Sequence, residues 1–327
     1  MNRPSASKLL TLGGAAMLLT ALIWPLLVPA NSQRAQKLSD SNDFFIGKQG
    51  ENPGEFQQPR GIAAFADGSF IVVDRAARVQ HFSRDGKPLK LWSMKDHALG
   101  NPKGLCALPD GNILVCDTHY GRVLKMTPDG EILKIWGEPG KKPGQFVHPL
   151  SAAVDAKRGF VYVVEYGAYN DRVQKFDLDG TLLKVFSEYG IAPGQLNRPS
   201  GVVVDANGFV YVADSCNHCI QKFDADGNFI LSFGKEGGGD GELRYPYDIA
   251  YAADGRLYVA EFINHRVSAF ETDGKFVRRF GSPGSGPEQF ANPWSLAADA
   301  SGRLLVSDTG NHRVRIVNLL KPSAANP

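Results

Sequence analysis

The stretch PWSLAADASGRLLVSDTGNHRVRIVN, residues 293–318, decides the fold. It opens at a proline, runs apolar to Ala298, turns at Ser301-Gly302 and runs apolar again to Asp308. A polar loop, Thr309-Gly310-Asn311-His312, then leads into a third apolar run ending at Asn318. Runs this short, bounded by turn residues, are strands. The same order starts at Pro59, Pro102, Pro149, Pro199 and Pro246, so that successive units are spaced by 43, 47, 50, 47 and 47 residues. In those five units a second turn and a fourth run follow, and four strands per unit at this period make a propeller blade.

The turns fix where the strands stop. Asp67-Gly68, Asp110-Gly111, Asn207-Gly208 and Asp254-Gly255 join the first two strands of their units, Ser301-Gly302 does so in the last, and the third unit departs with Lys157-Arg158-Gly159. Asp85-Gly86, Asp129-Gly130, Asp179-Gly180, Asp226-Gly227 and Asp273-Gly274 join the third strand to the fourth. Such pairs suit tight hairpins because glycine and asparagine reach φ > 0 at little steric cost. Six first turns meet only five second turns, so the last unit lacks its outer strand. Phe44-Phe45-Ile46-Gly47 has the form of the outer strands that end at Ile135-Trp136-Gly137, Phe233-Gly234 and Phe280-Gly281. The following Pro53-Gly54-Glu55-Phe56 recurs as Pro143-Gly144-Gln145-Phe146 and Pro193-Gly194-Gln195-Leu196. The expected fold is therefore an all-β, six-bladed β-propeller over residues 44–318 whose last blade is closed by the N-terminal strand, leaving no unpaired seam.

Composition agrees, since 36 glycines and 20 prolines are too many for a helical bundle and 43% hydrophobic residues suffice for a real core. Ahead of the repeat, Leu9 to Gln33 carry no charge and follow Arg3 and Lys8. This is the layout of a signal peptide or a signal-anchor helix over residues 1–30. The apolar stretch Leu9–Ala30 approaches the roughly 20 residues that span a bilayer, which favours an uncleaved membrane anchor. Val28-Pro29-Ala30 offers small residues at a signal-peptidase spacing, which favours cleavage, and both readings stand. Either one places the remainder outside the cytoplasmic membrane, in the periplasm or at the cell surface, with residues 31–43 as a tether and 319–327 as a tail. The formal charge is +2 and Arg3 and Lys8 account for it, so the exported part is neutral and no nucleic-acid partner is expected.

The loops between second and third strands, Asp308-Thr309-Gly310-Asn311-His312-Arg313-Val314 and Glu261-Phe262-Ile263-Asn264-His265-Arg266-Val267, resemble the NHL repeat, whose name comes from such an Asn-His run. The resemblance covers about residues 44–318 and gains its specificity from six-fold repetition. It implies a module that binds peptides, proteins or RNA, or a sensor domain outside a bacterial membrane. One relative, the lyase that completes peptide C-terminal amidation, carries zinc-binding histidines directly after the blade-opening prolines. Here those positions hold Arg60, Lys103, Leu150, Ser200, Tyr247 and Trp294, none a zinc ligand, so no metal site and no cofactor are implied.

The second strands end in Asp74, Asp117, Glu165, Asp214, Glu261 and Asp308, and an arginine follows in every loop but the fourth, at Arg78, Arg122, Arg172, Arg266 and Arg313. Pairs of this kind fix loops rather than do chemistry. In the fourth unit Cys219 stands where the arginine should be, and Cys216 and Cys219 are a candidate disulfide for an exported chain. His218, His265 and His312 share one repeat position and are expected to satisfy loop backbone. Binding is expected instead where the repeat leaves side chains free to vary, at the entry to the innermost strands. Arg60, Lys103, Ser200, Tyr247 and Trp294 sit there, and Tyr166 and Tyr169 of the long third loop share the face. These residues point to a non-catalytic binding or scaffold propeller that recognises a peptide or protein. The alternative is a metal-dependent hydrolase or lyase of the six-bladed type, which would need converging free carboxylates or imidazoles.

Overall fold

The computed structural model describes residues 43–319 and the short strand Gln36–Lys37. Its strands form six antiparallel sheets arranged as the repeat predicts. The first blade comprises Pro59–Ala64, Phe70–Asp74, Arg78–Phe82 and Pro88–Ser93, and the second Gly104–Ala107, Ile113–Asp117, Arg122–Met126 and Ile132–Trp136. The third comprises His148–Asp155, Phe160–Tyr166, Arg172–Asp177 and Leu182–Phe186, and the fourth Pro199–Val204, Val210–Asp214, Cys219–Phe223 and Phe229–Phe233. The fifth comprises Pro246–Tyr251, Leu257–Glu261, Arg266–Phe270 and Phe276–Phe280. Pro293–Ala298, Arg303–Asp308 and Arg313–Asn318 begin the sixth blade, and Phe44–Ile46 completes it with Phe44 opposite Ile316 and Ile46 opposite Val314. The expected tether is not wholly a tether, because Gln36 and Lys37 pair with Phe45 and Phe44 as a fifth strand. The apolar stretch Leu9–Ala30 lies outside the described residues, and among those described no helix is long and apolar enough to cross a membrane.

The core is divided into six wedges, one between each pair of neighbouring blades. Between blades one and two lie Ile71, Val73, Val79, Ile113, Val115 and Leu124. Across the seam the wedge is built alike, from Ile46, Leu305, Val314 and Ile316 on one side and Ile62, Phe70, Val72 and Phe82 on the other. A second strand has a wedge on each face, so Phe70–Asp74, Ile113–Asp117, Val210–Asp214 and Leu257–Glu261 are buried at every position and show no polar alternation. Outer strands such as Ile132–Trp136 are largely exposed.

Burying the acid at the end of each second strand requires a partner, and five blades supply it. Arg78 meets Asp74 at 2.6 Å, Arg122 meets Asp117 at 2.8 Å, and Arg172 meets Glu165 at 2.7 Å. Arg266 meets Glu261 at 2.6 Å and Arg313 meets Asp308 at 2.7 Å. The other guanidinium nitrogens reach back to the segment that leads into the blade. Arg313 donates to the carbonyls of Ser285, Gly286 and Gln289, and Arg172 to those of Lys141, Lys142 and Gln145. Blade two has no such segment before it, and Arg122 pairs there with Asp96 instead. The carboxylates also accept from the chain before the inner strand, as Asp308 does from Ala291 N at 2.7 Å.

The Asn-His loops add a bridge between blades. His218, His265 and His312 each adopt a left-handed backbone, and their Nδ1 atoms accept from the backbone N–H of Tyr245, Asn292 and Gln58 in the next blade. The last of these crosses the seam. On the opposite face Arg303 pairs with Asp299 at 2.7 Å and donates to the carbonyls of Gly68 and Arg84, so the seam is tied there too.

Removing Arg313 strands Asp308, whose carboxyl burial already pushes towards the protonated form. Arg313→Met is expected to cost about 3–5 kcal/mol, the range for orphaning one half of a buried pair. Arg256→Met, which breaks the partly exposed pair with Glu271, is expected to cost no more than about 1 kcal/mol. Midpoints of urea unfolding for the two variants and the parent check both.

Candidate functional site

The residues at the entries to the inner strands meet around the mouth of the central channel. The guanidinium of Arg60 lies over the Trp294 ring, 4.9 Å from its centroid, across the blade-six seam. Trp294 packs on Tyr247 with centroids 4.5 Å apart, and Phe262 backs both rings at 5.8 and 4.9 Å. Arg198 Nη2 donates to the Tyr247 hydroxyl at 3.5 Å, and its guanidinium lies 5.3 Å from the centroid of Tyr166. Lys103 Nζ donates to the Tyr166 hydroxyl at 3.4 Å. Arg60, Trp294, Tyr247, Arg198, Tyr166 and Lys103 thus form an open circuit of contacts running from Arg60 to Lys103, with one member from each blade or the segment entering it.

Five of the seven expected binding residues belong to this circuit or touch it: Arg60, Lys103, Tyr166, Tyr247 and Trp294. The other two do not. Ser200 is buried, and its hydroxyl bonds Ser215 Oγ and donates to the Pro246 carbonyl at 3.1 Å, tying blade four to blade five. Tyr169 is 80% exposed and packs on Tyr189 at 5.0 Å, well outboard of the mouth, because Ala168 and Tyr169 both take a left-handed turn. Arg198, Phe262, His119 and His148 were not singled out by the repeat. Arg198 precedes its proline at φ 56°, a conformation shared with Gln58, Tyr245 and Asn292, and its backbone N–H is held by Asp171 Oδ2 at 2.5 Å. The signal available for Arg198 was a long cation at the position before a blade-opening proline.

Lys103, Tyr247 and Trp294 also line a small pocket of about 20 Å³, room for about one water. Gly104, Ser151, Asp248 and Ser295 line it. Burial pushes the Asp248 carboxyl up to about 6, against the opposing pull of its hydrogen bonds. Oδ2 accepts from Ser295 Oγ at 2.6 Å and Leu296 N at 2.9 Å, while Oδ1 accepts from Ile249 N at 2.9 Å. Gly201 permits this packing, since a β-carbon there would stand 2.6 Å from Asp248 Oδ1.

The electrostatics of the mouth are one-sided. Among the described residues no carboxylate forms an ion pair with Arg60, Arg75, Lys103 or Arg198. Burial, with Arg60 and Arg198 nearby, pushes the Lys103 ammonium down to about 8. Burial and Arg75 lower Arg60. His119 and His148, whose rings lie 6.0 Å apart, are likewise lowered by burial and by Lys103. No three His, Cys, Asp or Glu side chains among the described residues are grouped as a metal-ligand set.

The candidate disulfide is not formed: Cys216 and Cys219 are both free thiols. Cys219 faces Asp214, with Sγ 4.0 Å from Oδ2, whereas Cys216 lies in the 3-10 turn Ser215–Asn217 under the field of Arg198. Asp214 has no cation and is held by Asn217 Nδ2 at 2.7 Å, Gln221 Nε2 at 2.8 Å and Asn197 N at 2.7 Å. Burial raises it to about 6. Cys106 and Cys116 are also unlinked, since Cys116 stands opposite Gly104 and Cys106 opposite Leu114.

Fold and mouth together define a six-bladed β-propeller with a cation-and-aromatic rim. The NHL repeat matches at residues 99–126, 196–223 and 290–317. With six blades of that pattern in place, the chain is similar to the NHL-repeat propellers. No curated protein matches the chain. Similar solved structures include a Bacteroides thetaiotaomicron protein of unknown function, 15% identical with TM-score 0.66, covering 84% of this chain and 76% of that one. A gluconolactonase from Xanthomonas campestris is 16% identical with TM-score 0.63, covering 88% and 94%. A catalytically inactive virginiamycin B lyase from Staphylococcus aureus, solved with quinupristin, is 13% identical with TM-score 0.58, covering 88% and 98%. At these identities the likeness is one of fold.

Two outcomes check the electrostatics. In a titration followed by NMR of methyl-labelled lysines, one resonance is expected to move near pH 8, to vanish in Lys103→Met and to move at higher pH in Arg60→Gln. Cys219→Arg is expected to supply the missing guanidinium, because blade three accommodates Arg172 beside Gln174 in the arrangement that blade four builds with Gln221. Since the folded state holds the Asp214 proton more tightly than the unfolded chain, the parent loses stability as pH rises from about 4 to about 6. The variant's advantage in urea should therefore be present at pH 7 and shrink below pH 4.

Proposed function

We propose that this chain is an exported, non-catalytic binding propeller that recognises a peptide or protein partner at the mouth formed by Arg60, Lys103, Arg198, Tyr166, Tyr247 and Trp294. The observation that carries this reading is the convergence of six side chains, one per blade, on one opening while the surrounding repeat positions are used up in holding blades together. Aromatic rings and guanidinium groups on a rigid frame are the anchors that dominate binding energies. The scaffold already fixes them, so little ordering entropy is lost on association. A leader or anchor in residues 1–30 would present this disc outside the cytoplasmic membrane, either tethered or released. The metal-dependent hydrolase or lyase alternative draws on fold likeness to a gluconolactonase and a lyase, and it has no converging donor set among the described residues to build on.

Selection of a displayed random-peptide library on the purified protein tests the proposal. Enriched peptides are expected to lose about 2 kcal/mol, roughly 30-fold in Kd, on Trp294→Ala, the size of a binding hot spot. They should bind Tyr169→Ala as they bind the parent. Enriched peptides that ignore Trp294→Ala and Tyr247→Ala would place the binding surface elsewhere.

A further inference from the structure

We infer that the mouth is built for the carboxylate end of its partner: Arg60, Lys103 and Arg198 receive the anion while Trp294 and Tyr247 flank an apolar group attached to it. This rests on the binding reading above and names the chemistry of the group bound.

Three independent features carry it. The first is uncompensated charge. Elsewhere on this face a buried or half-buried arginine has a carboxylate within 3 Å, as Arg78, Arg172, Arg266 and Arg313 do. At the mouth the half-buried Arg60 and Lys103 have no carboxylate partner among the described residues, the exposed guanidinium of Arg198 forms no ion pair, and Arg60 Nε is buried without a hydrogen-bond partner. Like charges held together in partly desolvated surroundings are costly unless an anion joins them, and the lowered Lys103 reports that strain. The second is the aromatic side of the opening. Arg60 is held against Trp294 at 4.9 Å, and Tyr247 lies 4.5 Å from Trp294, so charge and apolar surface are adjacent.

The third is the depth of the channel. The pocket that Lys103, Tyr247 and Trp294 share with Gly104, Asp248 and Ser295 has a volume of about 20 Å³, too little for a chain to continue through it. Asp248 lies in its wall, satisfied by Ser295 and Leu296, and its negative charge opposes deeper entry of an anion. What binds must therefore end at the circuit, which suits a terminal carboxylate and disfavours a side chain in mid-sequence. A free C-terminus of a peptide and a small aryl or alkyl acid share this chemistry, and the two are separated by length dependence in the experiment below.

Binding to the full chain is measured by tryptophan fluorescence and calorimetry with four probes: N-acetyl-phenylalanine, its C-terminal amide, a pentapeptide ending in phenylalanine with a free carboxylate, and inorganic phosphate. The acid is expected to bind at least about tenfold more tightly than the amide, with the difference shrinking as salt rises. Arg60→Gln and Lys103→Gln, which remove the charge and leave a shorter polar side chain, should each remove most of that difference. A pentapeptide tighter than the single residue marks a peptide C-terminus, and equal affinity marks a small acid, and either outcome supports the inference. Equal binding of acid and amide would overturn it while leaving an aromatic-anchored binding site intact. Phosphate binding as tight as the acid's would also overturn it, because charge alone would then suffice. No binding by any probe, together with library peptides that still depend on Trp294, would reject the carboxylate while keeping the mouth as the site. If those peptides ignored Trp294 as well, the binding reading itself would fall.

Discussion

An ionised carboxylate buried at the end of a strand is tolerable only if something neutralises it and fills its lone pairs, and in this propeller that one demand organises the whole loop face. The guanidinium that answers it has donors left over, and these reach the carbonyls of the segment arriving from the preceding blade. A single ion pair thus fixes strand end, loop and inter-blade segment together. The histidines of the Asn-His loops add a hydrogen bond to the next blade from blades four, five and six. Because the demand recurs around the ring, the face becomes stiff all the way round.

Stiffness is what makes the channel mouth useful. The clasp consumes the acids and their arginines, and the bridges take His218, His265 and His312, so the side chains left for binding are those around the channel mouth. Three of these are cations and three are aromatic, and they touch in sequence from Arg60 round to Lys103, one from each of six blades. A site assembled in this way is positioned by the disc as a whole rather than by one loop.

The fold was legible in the sequence because proline positions, Asp-Gly pairs and the acid-to-arginine spacing are each local signals repeated many times. The closing strand could be read from Phe44-Phe45-Ile46-Gly47 because it copies the ending of the other outer strands. The mouth was legible in part. Arg60, Lys103, Tyr247 and Trp294 occupy equivalent repeat positions, so symmetry alone gathers them. Ser200 occupies the same position and lines the small pocket beside Lys103, Tyr247 and Trp294, yet its hydroxyl is spent on Ser215 and the Pro246 carbonyl. Arg198 and Tyr169 depend on left-handed backbone at a pre-proline residue and in a loop, and no periodic pattern announces where such residues aim. The pair Cys216 and Cys219 suggested a bond by spacing, while the actual course of the 3-10 turn aims one thiol at Asp214 and leaves the other beside Arg198.

Closure by Phe44–Ile46 has a consequence for biogenesis. Phe44 is made early on the ribosome, yet its partner Ile316 emerges some 270 residues later, so the first strand of the disc must wait as an open edge throughout synthesis. Such a long-range pairing carries a loop-closure cost that every local hairpin avoids, which makes the sixth blade the last to form and its completion the slow, committing step.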